Sequence, residues 1–261
     1  MKVGVVGLGS VGSAVFEVMS QYHEMVGYDV DGRGSIEDLL NTEANLVCVP
    51  TNATDTGELD MSAVDAVCNE FSRNRYQGII VMKSTLHPGT MERLECHYTN
   101  LKLVYMPEFL REKDAKEWFQ SPDRLVASGV AQYVSAALEL FFWVPENIPR
   151  LRMSHTEAEI AKLAHNAYIA TKVTFTCEIE RICEAKNADP LMVMEVVWSD
   201  RRVQNPAHLT PGLGGFGGKC VPKDTLSLRQ LDGKENDESL LAFVLANGAK
   251  QQVEKRRREN G

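Results

Sequence analysis

No run of apolar residues in this sequence reaches the roughly 18 that a membrane-crossing helix needs, so no membrane partner is expected. The apolar start, residues 3–8, is followed at once by glycine, which is wrong for a secretory signal. Cysteine is sparse. The six at 48, 68, 96, 177, 183 and 220 form no CxxC and no evident disulfide framework. That pattern suits a reducing cytoplasm, and no metal site is expected. An excess of basic charge is also missing: the formal net charge is -8, which speaks against nucleic acid as a partner. The one basic run, KRRR at 255–258, reads as the solvated end of a helix. What is present is ordinary globular composition over 261 residues, enough for one large domain or two modest ones.

The first half alternates between two periods. KVGVVG (2–7) reads as a buried strand, followed by Gly7-Leu8-Gly9-Ser10-Val11-Gly12 and a helix-like run. A second strand, EMVGYD, ends in Asp29, 22 residues after Gly7. In this strand–turn–helix–strand setting GxGxxG is a dinucleotide fingerprint. Gly7 permits the tight turn, Gly9 lets backbone approach a pyrophosphate, and Gly12 lets helix pack on strand. Ser10 and Val11 open the helix whose free N–H groups meet the phosphates. Asp29 is placed for the ribose hydroxyls and repels a 2′-phosphate, which favours NAD, although Arg33 nearby argues the other way. SIEDLLNT (35–42) predicts a short helix capped by Ser35. Further strands are predicted in NLVCVPT, GIIVMKST, KLVYMPEF and DRLVASG, with a helix in LDMSAVDAVCNEFSRN. Such units give an α/β fold, a Rossmann domain with a mainly parallel sheet, expected over residues 1–153. Polar residues at the carboxyl ends of its strands line the ligand crevice, and Pro50, Thr51, Thr85 and Glu108 fall there.

Residues 154–261 are expected to form a mostly helical domain on a long central helix. Residues 155–187 carry neither proline nor glycine, and Ile160, Leu163, Ala164, Ala167, Tyr168, Thr171 and Phe175 keep an approximate helical period. Lys162 and Asn166 stand four apart, on one face near that stripe. By periodicity alone they are a snorkelling lysine and an asparagine in a helix contact. PLMVMEVVWSD (190–200) starts another helix, its methionines and Trp198 read as core. The segment GGFGGKCVPKD (214–224) is poor at being helix or strand and reads as a loop.

Together the stretches GVVGLGSVG, VCVPTNATDTGELDMS, KSTLHPGT, MPEFLREKDA, AKLAHNAYIATKVTFTCEIE and GGFGGKCVPKD resemble the UDP-glucose/GDP-mannose 6-dehydrogenase family, in family order across most of the chain. The resemblance implies an NAD-dependent enzyme that oxidises C6 of a nucleotide sugar, UDP-glucose above all, twice. It makes Cys220 the nucleophile of a thiohemiacetal and thioester route. Lys162 and Asn166 then match oxyanion donors, and Asp224, Glu112 and Glu108 match carboxylates that orient or deprotonate water. Which of the three is the base stays open, with Glu112 and Asp224 favoured. Thr85 matches a residue that holds water or oxygen, and Thr85 and Glu112 also border the cofactor. Phe109, Leu110, Phe216, Gly217 and Lys223 match substrate contacts. Arg202 matches an arginine that enters the neighbouring subunit's site, which implies a homodimer; Arg201 is adjacent.

Family members continue past this loop into a second Rossmann-like domain that holds the nucleotide. Only residues 225–261 follow Asp224 here, and 237–261 reads as one helix. A shortened form is therefore expected. Either a partner chain supplies the missing domain, or the substrate is smaller, or the chain is a non-catalytic NAD-binding homologue. A Rossmann domain followed by helices also fits single-step hydroxyacid-type dehydrogenases, which need no thiol.

Overall fold

The computed structural model describes residues 1–54, 58–231 and 239–259, with side chains through residue 254. The chain divides into two compact units, Met1–Asn52 with Leu59–Lys162, and Ala53–Glu58 with Leu163–Gly261.

The first unit follows β1 (Lys2–Val6), α1 (Ser10–Met19), β2 (Glu24–Tyr28), α2 (Ile36–Leu40), β3 (Ala44–Val47), α3 (Ser62–Arg73), β4 (Ile79–Met82), α4 (Thr90–His97) and β5 (Lys102–Tyr105). A 3-10 turn at Glu112–Asp114 then leads into α5 (Ala115–Gln120), β6 (Leu125–Gly129), α6 (Ala131–Glu139) and β7 (Arg150–Arg152). The sheet order is β2-β1-β3-β4-β5-β6-β7. Successive residues along a strand face opposite layers. Val3, Val5, Leu46 and Val81 pack with α1, α5 and α6, while Val6, Val47, Ile80 and Met82 pack with α2, α3 and α4. Burial on both faces is why these strands read as continuous apolar runs.

The expected parallel sheet holds from β2 to β5. β6 runs antiparallel to β5, and β7 is parallel to β6. Strand direction leaves no trace in strand composition, so this reversal is found only in the fold. Strand order reverses at β1, with β2 on one side and β3 on the other, and ligands of open α/β sheets bind at such a switch point. Ser35 caps α2 as expected, its side chain accepting from the Asp38 N–H.

The long helix is α7 (His155–Lys186), opened by a reciprocal pairing of Ser154 with Glu157. Its buried face differs from the predicted stripe. Of the stripe, Leu163 and Ala167 are buried as predicted but Ile160, Ala164, Tyr168 and Phe175 are exposed, and Ala158, Glu159, Lys162, Asn166, Ala170 and Val173 are buried instead. Polar residues on the inner face shift the apparent phase of the apolar pattern.

The second unit continues with α8 (Pro190–Ser199), α9 (Val221–Leu231), α10 (Leu240–Gly248) and α11 (Lys250–Glu259). On α8 only Met194 is fully buried; Met192 is exposed, against the reading of its methionines as core. The predicted single tail helix is two helices with a break at Ala249. Phe216 supplies the reason. Its N–H donates to the Gly248 carbonyl and its own carbonyl accepts from the Lys250 N–H, so the chain is held open between them. A Cβ at Gly248 would fall 1.8 Å from Thr174 Oγ1. The unit's core gathers Ala170, Val173, Phe216 and Val244. The KRRR side chains and residues 55–57 of the VPTNATDTGE motif lie outside the described residues. No helix among the described residues is long and apolar enough to cross a membrane.

Candidate active site

The crevice at the switch point is built from backbone. Gly7, directly after β1, has φ +86°, a conformation a side chain disfavours, and its N–H donates to the Tyr28 carbonyl. Gly12 admits no Cβ, since one would lie 1.7 Å from the Gly7 carbonyl oxygen. Beside Gly9 a Cβ would meet nothing within 4 Å, so the backbone faces open space there. Ser10 and Val11 start α1. Asp29 follows β2, and its Oδ2 accepts the Leu8 N–H at 2.6 Å, which ties the acidic residue to the glycine turn. Arg33 is committed to carboxylates: it clasps Asp31 at 2.7 Å and stands 3.6 Å from Asp29. An open glycine at a helix N-terminus and a fixed carboxylate one strand away suit a dinucleotide's pyrophosphate and ribose.

Other sequence-predicted residues follow the carboxyl ends of neighbouring strands. Thr51 is 5% exposed and Pro50 is exposed, just past β3. Thr85 follows β4, half-buried. Ser10 Oγ donates to Glu112 Oε1 at 3.2 Å, which brings the PEFLRE segment to the nucleotide loop. Leu110 packs against the core below.

Two cations that the sequence reading did not single out complete this half. Lys83 Nζ lies 2.9 Å from Glu108 Oε2, with side chains only 3% and 13% exposed. Glu108 Oε1 accepts the Phe109 N–H at 3.0 Å. The Phe109 ring carries the Arg124 guanidinium at 4.3 Å and Lys162 Nζ at 5.4 Å. Lys83, Glu108, Phe109 and Arg124 line a cavity of about 20 Å³, room for one water. The available signal was position: Lys83 closes β4 as Thr85 does.

In the second unit Asp224 is fully buried and doubly held. Asn166 Nδ2 donates to its Oδ2 at 2.6 Å, and Lys223 Nζ reaches its Oδ1 at 2.7 Å. The sequence-predicted loop ends at Cys220, because VPKD is already the first turn of α9. The Asp224 N–H donates to the Cys220 carbonyl at 3.0 Å, so the exposed cysteine sits at the helix N-terminus. The positive end of a helix favours negative charge there. Gly217 is exposed, whereas Phe216, expected to approach a sugar, has its ring in the core at 4% exposure. Arg202 is exposed and clasped by Asp200, whose carboxyl it holds below the usual range.

The fold and crevice define a Rossmann-type dinucleotide-binding protein. Two models of one family match in sequence order. The NAD-binding domain of the UDP-glucose/GDP-mannose dehydrogenase family matches residues 33–142, and its central domain matches 156–246. The chain belongs to that family, which classes it with NAD-dependent oxidoreductases acting on CH–OH groups. It is 28% identical to a UDP-glucose 6-dehydrogenase of Streptococcus pneumoniae, over 94% of this chain and 72% of that protein. It is 32% identical to a UDP-glucose 6-dehydrogenase of Pseudomonas aeruginosa, over 82% of this chain but only half of that protein. The structure of a UDP-glucose dehydrogenase from Pyrobaculum islandicum matches with a TM-score of 0.83 and 28% identity, covering 98% of this chain and 68% of that one.

Proposed function

We propose that the chain is a nucleotide-sugar 6-dehydrogenase that oxidises the C6 alcohol of a UDP-sugar, UDP-glucose first among candidates, to the carboxylate. The observation that carries this reading is Cys220 at the start of α9, four residues before an Asp224 gripped by Asn166 and Lys223. A single-step dehydrogenase has no use for a nucleophile so placed. NAD held at the Gly7–Gly12 turn would supply the hydride acceptor, one molecule for each of the two oxidations.

Between those oxidations the protein has to turn an aldehyde back into a hydride donor. The Cys220 thiolate adds to the C6 carbonyl to give a thiohemiacetal, whose carbon still bears a hydrogen. Loss of that hydride leaves a thioester, and water releases the carboxylate and the thiol. Asn166 and Lys162 are the donors for negative oxygen as it develops. Asp224 has both oxygens engaged within the second unit, which suits it to orienting Asn166 and Lys223. Glu112 bonds Ser10 and serves the cofactor side. Glu108 is left to handle water, with Thr85 just past the carboxyl end of the neighbouring parallel strand, as Glu108 is past its own. Phe109, Leu110, Gly217 and Lys223 border the sugar. Arg202 completes the site of a second copy, so the active form is a homodimer. The family's sugar-nucleotide domain is not among the regions matched.

The test is NADH formation with a panel of UDP- and GDP-sugars, for wild type and C220S. Two NADH per sugar are expected from wild type, and essentially none from C220S with NAD binding intact. NAD binding without turnover on any sugar nucleotide sinks the reading in favour of a non-catalytic homologue.

A further inference from the structure

The Lys83–Glu108 pair is unusual because neither partner is on the surface. A buried ion pair contributes little to stability compared with apolar side chains of the same volume. Folding therefore does not require one at this position. Lys83 is also enclosed by aromatic rings, its Nζ 5.7 Å from the Phe119 centroid and 5.5 Å from that of Phe141. Its charge needs a fixed counter-ion. Cys48 is the alternative, but burial pushes its thiol up to about 12, so it stays neutral. Arg124 lines the same cavity and is occupied with the Phe109 ring. Glu108 is thus the anion that answers Lys83.

We propose that Lys83 is a positioning residue for Glu108, holding that carboxylate in one fixed place so that it can take a proton from the hydrolytic water. This rests on the function proposed above. Ionised carboxylate oxygens offer about four acceptor sites. Lys83 and the Phe109 N–H fill two, and the rest remain for water. In hydrolysis the water oxygen bonds to the thioester carbonyl carbon while Glu108 receives the proton. The C–S bond then breaks and Cys220 leaves as thiolate. No electron acceptor is involved. Lys83 touches none of the reacting atoms; it acts through Glu108 alone.

The test compares wild type with K83M, K83R, E108Q and K83M/E108Q. Thermal melting reads the pair without any need for activity. K83M strands a carboxylate and should melt about 5 °C or more below wild type. K83M/E108Q, which removes both charges, should recover most of that loss, and K83R should lie near wild type. Strict additivity of the single losses overturns the proposal. The second readout is intact mass after quenching turnover with NAD and UDP-glucose. K83M should accumulate a sugar adduct on Cys220 while kcat falls about tenfold or more and KM for NAD is unchanged. K83R should clear the adduct. Wild-type kcat without adduct in K83M overturns the proposal. No NADH from wild type, with melting coupling intact, defeats the functional reading instead and removes Glu108's hydrolytic task with it.

Discussion

Gly12 shows how much a missing side chain decides. A methyl group there would lie 1.7 Å from the Gly7 carbonyl oxygen, which is backbone and cannot swing away. The first turn of α1 would have to lift off β1, and the nucleotide turn would lose its shape. G12A is expected to lower NAD affinity at least about tenfold and to melt below wild type. Gly9 has no such neighbour, so G9A is expected to keep its melting temperature and still weaken NAD, because the methyl group would intrude on the open space beside the glycine turn in which a dinucleotide fingerprint seats the pyrophosphate. Isothermal titration with NAD beside melting curves separates the two. Equal melting losses in both variants would contradict this division. The fingerprint glycines were legible from sequence because their reasons are local. Lys83 and Arg124 were not, since their meaning depends on Glu108 and Phe109, which other strands bring alongside.

Among elements, α7 carries the most consequence. Its length was legible from the run without proline or glycine; its inward face was not, because Glu159, Lys162, Asn166 and Thr174 are buried where apolar residues were expected. Glu159 explains part of this. Its carboxylate accepts the Gly89 and Met91 N–H groups at 2.7 and 2.8 Å, satisfying donors at the start of α4. E159A orphans both and is expected to cost about 2 kcal/mol or more. Burial is the largest influence on Glu159 and raises its pKa above the ordinary value; the two N–H donors and His155 oppose it. Because the folded value stands above the unfolded one, the stabilising contribution is complete below the unfolded pKa. It is lost as pH rises through the folded pKa. The melting temperature of wild type minus that of E159Q is therefore expected to grow as pH falls from neutral toward about 4. A difference that shrinks on acidification would reverse the assigned sign. The break between α10 and α11 was missed for a related reason: Gly248 looks tolerable within a helix until Phe216 and Thr174 are seen against it.

For the whole molecule the question is how many chains make one site. Much apolar surface of the second unit faces outward: Tyr168 and Phe175 on α7, and Leu191, Met192 and Val196 on α8, with Met192 61% and Val196 74% exposed. Exposed apolar patches of this kind mark association surfaces, which supports the proposed homodimer. Arg202 is the residue through which assembly would become catalysis. Its side chain is 85% exposed and among the described residues its ion-pair partner is Asp200, two residues away, so its guanidinium has open positions for a further anion. If its target lies in the second copy's site, R202A should leave NAD affinity unchanged and lower turnover. Light scattering should give about twice the 29.1 kDa chain mass for wild type and R202A alike. The stronger test mixes subunits. C220S lacks the nucleophile but presents an intact Arg202, while R202A has the nucleophile and lacks the arginine. Each homodimer is then impaired at both sites, whereas the mixed dimer holds one site with Cys220 from one copy and Arg202 from the other. Dissociating and recombining equal amounts should yield about a quarter of wild-type activity, since half of the dimers are mixed and each has one complete site. Recombination that gives only the average of the two parents would place Arg202 at its own chain's site.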